Sequence, residues 1–178
     1  RDTSWIQDKL INNHGGLYGR VTYEIKLEPF TLRECELLFI ERGVRLSRYD
    51  IVQSHMIFGG IPYYLNYFQR GKSLAQIVDE MFFQKGAKLA MEYARLFSSV
   101  FTNPEMMMDI VKVLAARSKG FTRKELSEKA GYSEGGTLTK ALNALVASDF
   151  VIKYIPFGCG KREAHYKLTD PFCIFYLR

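Results

Sequence analysis

Apolar residues recur at helical spacing along most of this chain, and only three short runs read as strands. The first covers 21–27, where Val21, Tyr23, Ile25 and Leu27 interleave with Thr22, Glu24 and Lys26 and Pro29 closes the run. The others cover 150–156 and 164–168. So few and such short runs cannot build a large sheet, and the fold class expected is mainly α with short β. Helix starts are marked clearly. Thr31 with Glu34 three residues on is a capping-box pattern, followed at helical spacing by Cys35, Leu38 and Phe39. Ser47 opens a second helix carrying Tyr49, Ile51, Val52 and Met56, and Pro62 opens a short third one, where a missing N–H costs nothing. Two more helices are expected over 74–83 and 87–99, separated by Gly86, and an earlier one over 3–13 carries Trp5, Ile6, Leu10 and Ile11 behind Thr3 or Ser4.

From Pro104 the order of elements is itself informative. A helix over 105–117 is followed by a break at Gly120 and a helix over 123–130 capped by Thr122. Gly131 then turns the chain into a third helix over 134–147, with Leu138, Ala141, Leu142, Leu145 and Val146 on one stripe. Two short strands follow, joined by the basic turn FGCGKRE. Three helices and a two-stranded wing are the winged helix-turn-helix plan. The organisation expected is therefore 1–30, a helical segment 31–103, and a winged unit 104–178.

With 178 residues, 47% of them apolar, the chain can bury a core without disulfides or metals. Cys35, Cys159 and Cys173 are odd in number and scattered, and His14, His55 and His165 are equally dispersed, so reduced thiols and no metal site are expected. No apolar window is long enough to span a bilayer, and the first residues lack the layout of a signal peptide. A cytoplasmic protein without membrane contact is the expectation. The net charge of +6 leans toward the C-terminal part: residues 1–100 carry 13 Lys and Arg against 11 Asp and Glu, residues 101–178 carry 12 against 8. Neither end of the sequence has a start or stop pattern, so it is expected to be part of a longer protein.

Candidate nucleic-acid contacts sit in the winged unit. Thr137, Lys140 and Asn143 lie off the apolar stripe of the third helix, and Lys161 and Arg162, with His165, lie on the wing. Arg117, Lys119, Arg123 and Lys124 cluster at the first inter-helix turn and could form a phosphate-contacting rim. Few of these side chains can read a base edge, so a docking or purely structural role stands beside DNA contact. In HMIFGGIPYYL, Gly59 and Gly60 would let a ligand or another backbone approach closely, with Pro62 opening a helix. A tight turn between packed helices accounts for the same residues. Arg20, just before the first alternating run, could offer a guanidinium to phosphate or simply be solvated. No carboxylate pair, nucleophile–base set or phosphate-cradling loop stands out, and no catalysis is expected of this sequence alone.

The segments TSWIQDKL, GGLYGRVTYEIKLEPFTLRECE, MIFGGIPYYLNYF, KSLAQIVDEMFF, GFTRKELSEKAG, GGTLTKALNALVASDFVIKY and YKLTDPFCIFYLR, in that order, resemble one family. It is the AAA+-like, archaeal-type, STAND-related ATPases, which join a P-loop domain to a helical lid and a winged helix. The resemblance implies that 1–30 ends an ATPase core whose Walker A and Walker B motifs are not in this sequence. It implies that 31–103 is the lid and 104–178 the winged helix. ATP and Mg would belong to the intact protein and not to this piece. Thr3 and Ser4 would match polar sensor-one residues, Arg20 an arginine finger acting across a subunit boundary of a homo-oligomer, and Gly59, Gly60 and Pro62 a lid motif beside base and ribose. The partners implied are the P-loop domain of the same protein, with which the 21–27 strand would pair, and DNA or another protein. The alternative expectation is a free-standing winged-helix DNA-binding transcriptional regulator.

Overall fold

The computed structural model describes residues 22–23, 25–160 and 163–178. It is mainly helical with one small antiparallel sheet, as the periodicity requires. The chain divides into two compact units: Leu27–Leu96 with Pro171–Tyr176, and a second that includes Lys26, Phe97–Asp170 and Leu177–Arg178.

In the helical unit, α1 (Leu32–Glu41) and α2 (Arg48–Phe58) both begin with reciprocal caps. The Thr31 hydroxyl accepts from the Glu34 N–H at 3.3 Å while the Glu34 carboxylate accepts from the Thr31 N–H at 2.7 Å. Ser47 and Asp50 repeat the device. Each satisfies amide donors that a helix start otherwise leaves open. α1 buries Cys35 and Phe39, whereas α2 buries Ile51, Ser54 and Phe58. The Ser54 hydroxyl is satisfied by donating to the Ile51 carbonyl at 2.9 Å. Tyr49, Val52 and Met56, three of the four apolar α2 residues in the sequence pattern, are exposed.

A left-handed Gly59 ends α2, and the four-residue α3 (Pro62–Leu65) follows. α4 (Leu74–Val78), capped by Ser73 and Gln76, runs into a π-helical turn over Asp79–Phe83. Residues 84–91 turn, with Gly86 at φ +78°, so α5 (Glu92–Val100) starts later than the pattern suggested. The last helix, α9 (Pro171–Leu177), has no counterpart in the sequence expectations. It supplies Phe172, stacked on Tyr64 at 5.2 Å between ring centres and on Phe82 at 5.9 Å. Phe58, Phe39 and Phe68 continue this aromatic core.

The second unit holds α6 (Pro104–Ala115), β1 (Phe121–Thr122), α7 (Arg123–Ala130), α8 (Gly136–Ala147), β2 (Val151–Tyr154) and β3 (His165–Leu168). The sheet order is β1-β3-β2, with Phe121 opposite Tyr166 and Val151 opposite Leu168. The two strands expected over 150–156 and 164–168 thus pair with each other, and a third joins them. Gly120, at φ +74°, makes this possible, because a side chain there would collide with the Tyr166 carbonyl. Ile110, Leu114, Leu126, Leu138, Leu142 and Phe150 are fully buried and form the core.

The alternating run 21–27 forms no strand in its described residues. Tyr23, Ile25 and Leu27, the apolar side of the alternation, are exposed. Period-two spacing prepares a segment for a sheet but does not supply the partner strand. The helix expected over 3–13 lies outside the described residues.

Candidate nucleic-acid interface

α8 is positioned by a short chain of polar contacts. The Thr122 hydroxyl caps α7 and Glu125 answers with its carboxylate to the Thr122 N–H at 2.7 Å. Arg117 donates to both Glu125 oxygens at 2.9 Å and to the Gly120 carbonyl at 2.7 Å, with its guanidinium 3.8 Å from the Phe121 ring centre. The Thr122 N–H, then the Arg117 and Thr122 side chains, hold the Glu125 carboxyl down to about 2. Arg123 donates to the Glu134 and Gly135 carbonyls at 2.9 and 3.1 Å, tying the start of α7 to the turn that launches α8. Tyr132, in that turn, donates to Asp109 of α6 at 2.8 Å, and this bond raises its phenol above the ordinary range.

Two of the four rim cations expected from the sequence are therefore engaged inside the unit. Arg117 and Arg123 hold the turn, whereas Lys119 and Lys124 are exposed. Thr137, Lys140 and Asn143 are all exposed on α8, at i, i+3 and i+6. α8 carries no acidic residue, and its N-cap Gly135 makes no side-chain cap bond. Such a face suits phosphate and close backbone approach, and only Asn143 has the amide geometry to pair with an adenine edge. Lys161 and Arg162 lie outside the described residues, as do Thr3, Ser4 and Arg20.

The glycine pair belongs to the helical unit. Gly59 donates to the His55 carbonyl at 2.8 Å and packs its α-carbon side against the Pro171 ring, where a Cβ would stand 3.2 Å away. Gly60, at φ +67°, accepts from the Phe30 N–H at 2.8 Å, and a Cβ there would run into the Phe30 carbonyl. That carbonyl also lies 3.0 Å from His55 Nε2. Both glycines are buried, whereas Pro62 is exposed. Close backbone packing thus accounts for the missing side chains. An open cleft of about 440 Å³ in this unit is lined by Glu36, Phe39, Val44, Arg45 and Ile51, and not by the glycine pair. Among the described residues no group of three or more His, Cys, Asp or Glu could hold a metal ion. No helix among them is long and apolar enough to cross a membrane.

Sequence reasoning passed over Phe157. The signal was there: one phenylalanine inside an otherwise small and basic turn. It stands fully exposed between β2 and β3. No family model, no curated protein and no solved structure matches this chain.

Proposed function

We propose that this chain is the lid and winged-helix portion of an ATP-binding, AAA+-like ATPase, and that its winged unit carries the output by binding duplex DNA. The observation that supports the DNA-binding part is the element order helix–strand–helix–helix–strand–strand with sheet order β1-β3-β2, which sets the acid-free face of α8 outward. Lys140, Lys119 and Lys124 contact phosphates, Thr137 and Asn143 lie at base edges, and Lys161 and Arg162 are further nucleic-acid contacts expected from the sequence. ATP and Mg are held by a P-loop domain of the same protein, and nucleotide-dependent movement of the helical unit changes how the winged unit meets DNA. Arg20 offers its charge to a nucleotide across a subunit boundary, with Thr3 and Ser4 as sensor residues.

Fluorescence anisotropy with labelled duplex tests the output. Binding is expected to weaken steeply as salt rises, because phosphate contacts release counterions. Failure to bind duplex at low salt overturns it.

A second reading, a free-standing winged-helix regulator, is favoured by one observation: Gly59 and Gly60 already have packing roles that need no nucleotide. Duplex affinity of the protein as encoded, measured with and without ATP and Mg, separates the two. A nucleotide-dependent change supports the ATPase, and invariance supports the regulator.

A further inference from the structure

β2 stands at one end of the β1-β3-β2 order, so one of its edges faces no strand. Among the described residues no backbone hydrogen bond from outside the sheet reaches Val151–Tyr154 on that side. Val151 is buried, whereas Ile152 beside it is 45% exposed. Open strand edges invite pairing and are ordinarily blunted or covered. The run 21–27 has the alternation of a strand but forms none in its described residues, and it leaves Tyr23 and Ile25 81% and 71% exposed. One contact brings edge and run together. Lys26 Nζ lies 2.7 Å from the carboxylate of Asp149, which sits just ahead of β2, and Lys26 belongs to the same compact unit as that strand.

We propose that residues 22–26 are a strap that adds to the open edge of β2 as an antiparallel fourth strand, an inference independent of the ATPase and DNA readings above. The ion pair sets the direction. In the parallel sense the residues after Lys26 would run along β2 and place Pro29, which has no N–H to give, opposite Ile152. Phe30 is moreover already committed, through its N–H, to the Gly60 carbonyl. In the antiparallel sense, with Lys26 opposite Asp149, Tyr23 falls opposite Ile152 and Thr22 opposite Lys153. Directly opposite side chains share a face, so Tyr23 covers Ile152 as an aromatic on a β-branched residue, with Ile25 on the diagonal. Lys26 and Asp149 are then an opposite-charge cross-strand pair. A slip by one residue would turn Tyr23 and Ile25 away from Ile152. The chain's own segment is the favoured occupant, because Lys26 already stands at the end of the edge and only the residues before it have to fold along β2. Once added, the strap closes an edge otherwise open to strands of other chains.

Cysteine cross-linking of the full chain tests the strap, with the exposed Cys159 changed to Ser throughout and the buried Cys35 and Cys173 left in place. Tyr23→Cys combined with Ile152→Cys is expected to form an intramolecular disulfide under mild oxidation, since opposite residues of antiparallel strands stand about 4.5–5.5 Å apart, within disulfide reach. Thr22→Cys combined with Ile152→Cys puts the thiols on opposite faces and is expected to link roughly tenfold more slowly. Asp149→Asn removes the anchoring charge yet suits the left-handed backbone at φ +60°. It is expected to slow the first link about two- to fivefold, as loss of an exposed ion pair does. Equal linking by the two cysteine pairs, or none by either, overturns the strap. A disulfide between two chains overturns it in favour of a second copy's strand on the edge. The unaltered chain gives a second readout: hydrogen exchange is expected to be slowed at alternate amides of 22–26, and exchange there at the rate of a free peptide overturns the proposal.

Discussion

Arg117 and Glu125 meet through both carboxylate oxygens at 2.9 Å, and this pair joins the end of α6 to the start of α7. Glu125 also completes the Thr122 cap. Its carboxyl is depressed from 4.5 to about 2 in the folded chain. A depressed acid contributes stability that is complete above its unfolded value and lost as pH falls toward the folded one. Urea titrations of the wild type should therefore show this contribution intact above about pH 4.5 and fading between there and about pH 2. Glu125→Ala should cost about 1 kcal/mol at neutral pH, the usual worth of a cap, and should show a shallower loss across that acid range. An unchanged acid slope in the variant would count against the assignment.

Gly60 and Gly71 share a left-handed backbone, at φ +67° and +79°, but only Gly60 faces an obstacle. Gly71→Ala should cost about 1 kcal/mol, for conformation alone. Gly60→Ala adds a collision with the Phe30 carbonyl and should cost roughly 1–3 kcal/mol more, as strained backbone sites do. Chemical denaturation of the two variants checks the order; equal losses would show that the Phe30 segment gives way freely.

Phe172 is buried to 1% exposure among Tyr64, Phe82 and Tyr176. Its truncation to alanine should cost about 3–5 kcal/mol, the range for a large aromatic removed from a packed core. Calorimetry would register this as a marked loss for the helical unit. A small effect would mean that α9 is only loosely attached.

Lys140→Ala should reduce the slope of log affinity against log salt by about 0.9, the share of one phosphate contact. Its thermal stability should stay within about 0.5 kcal/mol of wild type, because the side chain is exposed and away from the core. An unaltered slope would place Lys140 off the DNA.

Local chemistry is what the sequence exposes well. Thr31 with Glu34 and Thr122 with Glu125 mark their helix starts because both cap partners lie within one turn. Gly131, a left-handed helix end, is legible for the same reason. β1 is not: two residues carry no period, and the strand exists because Gly120 lets the chain approach Tyr166, far along the sequence. The α9 segment hid similarly, since an unbroken aromatic and apolar run points to no single face until Tyr64 and Phe82 supply its partners. On α2 the pattern picked out Tyr49, Ile51, Val52 and Met56, yet of these only Ile51 is buried, and the helix turns Ser54 and Phe58 inward with it. At the candidate interface, sequence located the exposed α8 residues but could not separate Lys119 and Lys124 from Arg117 and Arg123, whose acceptors are set by tertiary contacts.

The helical unit is discontinuous: Leu27–Leu96 is completed by Pro171–Tyr176, with the whole of Phe97–Asp170 intervening. On the ribosome, its aromatic centre must wait for Pro171–Tyr176 to emerge, by which time residues 97–170 of the other unit have already been made. The usual vectorial sequence is thereby inverted, and a nascent chain halted before Pro171 would display an unfinished apolar surface, the form in which quality-control factors would meet it.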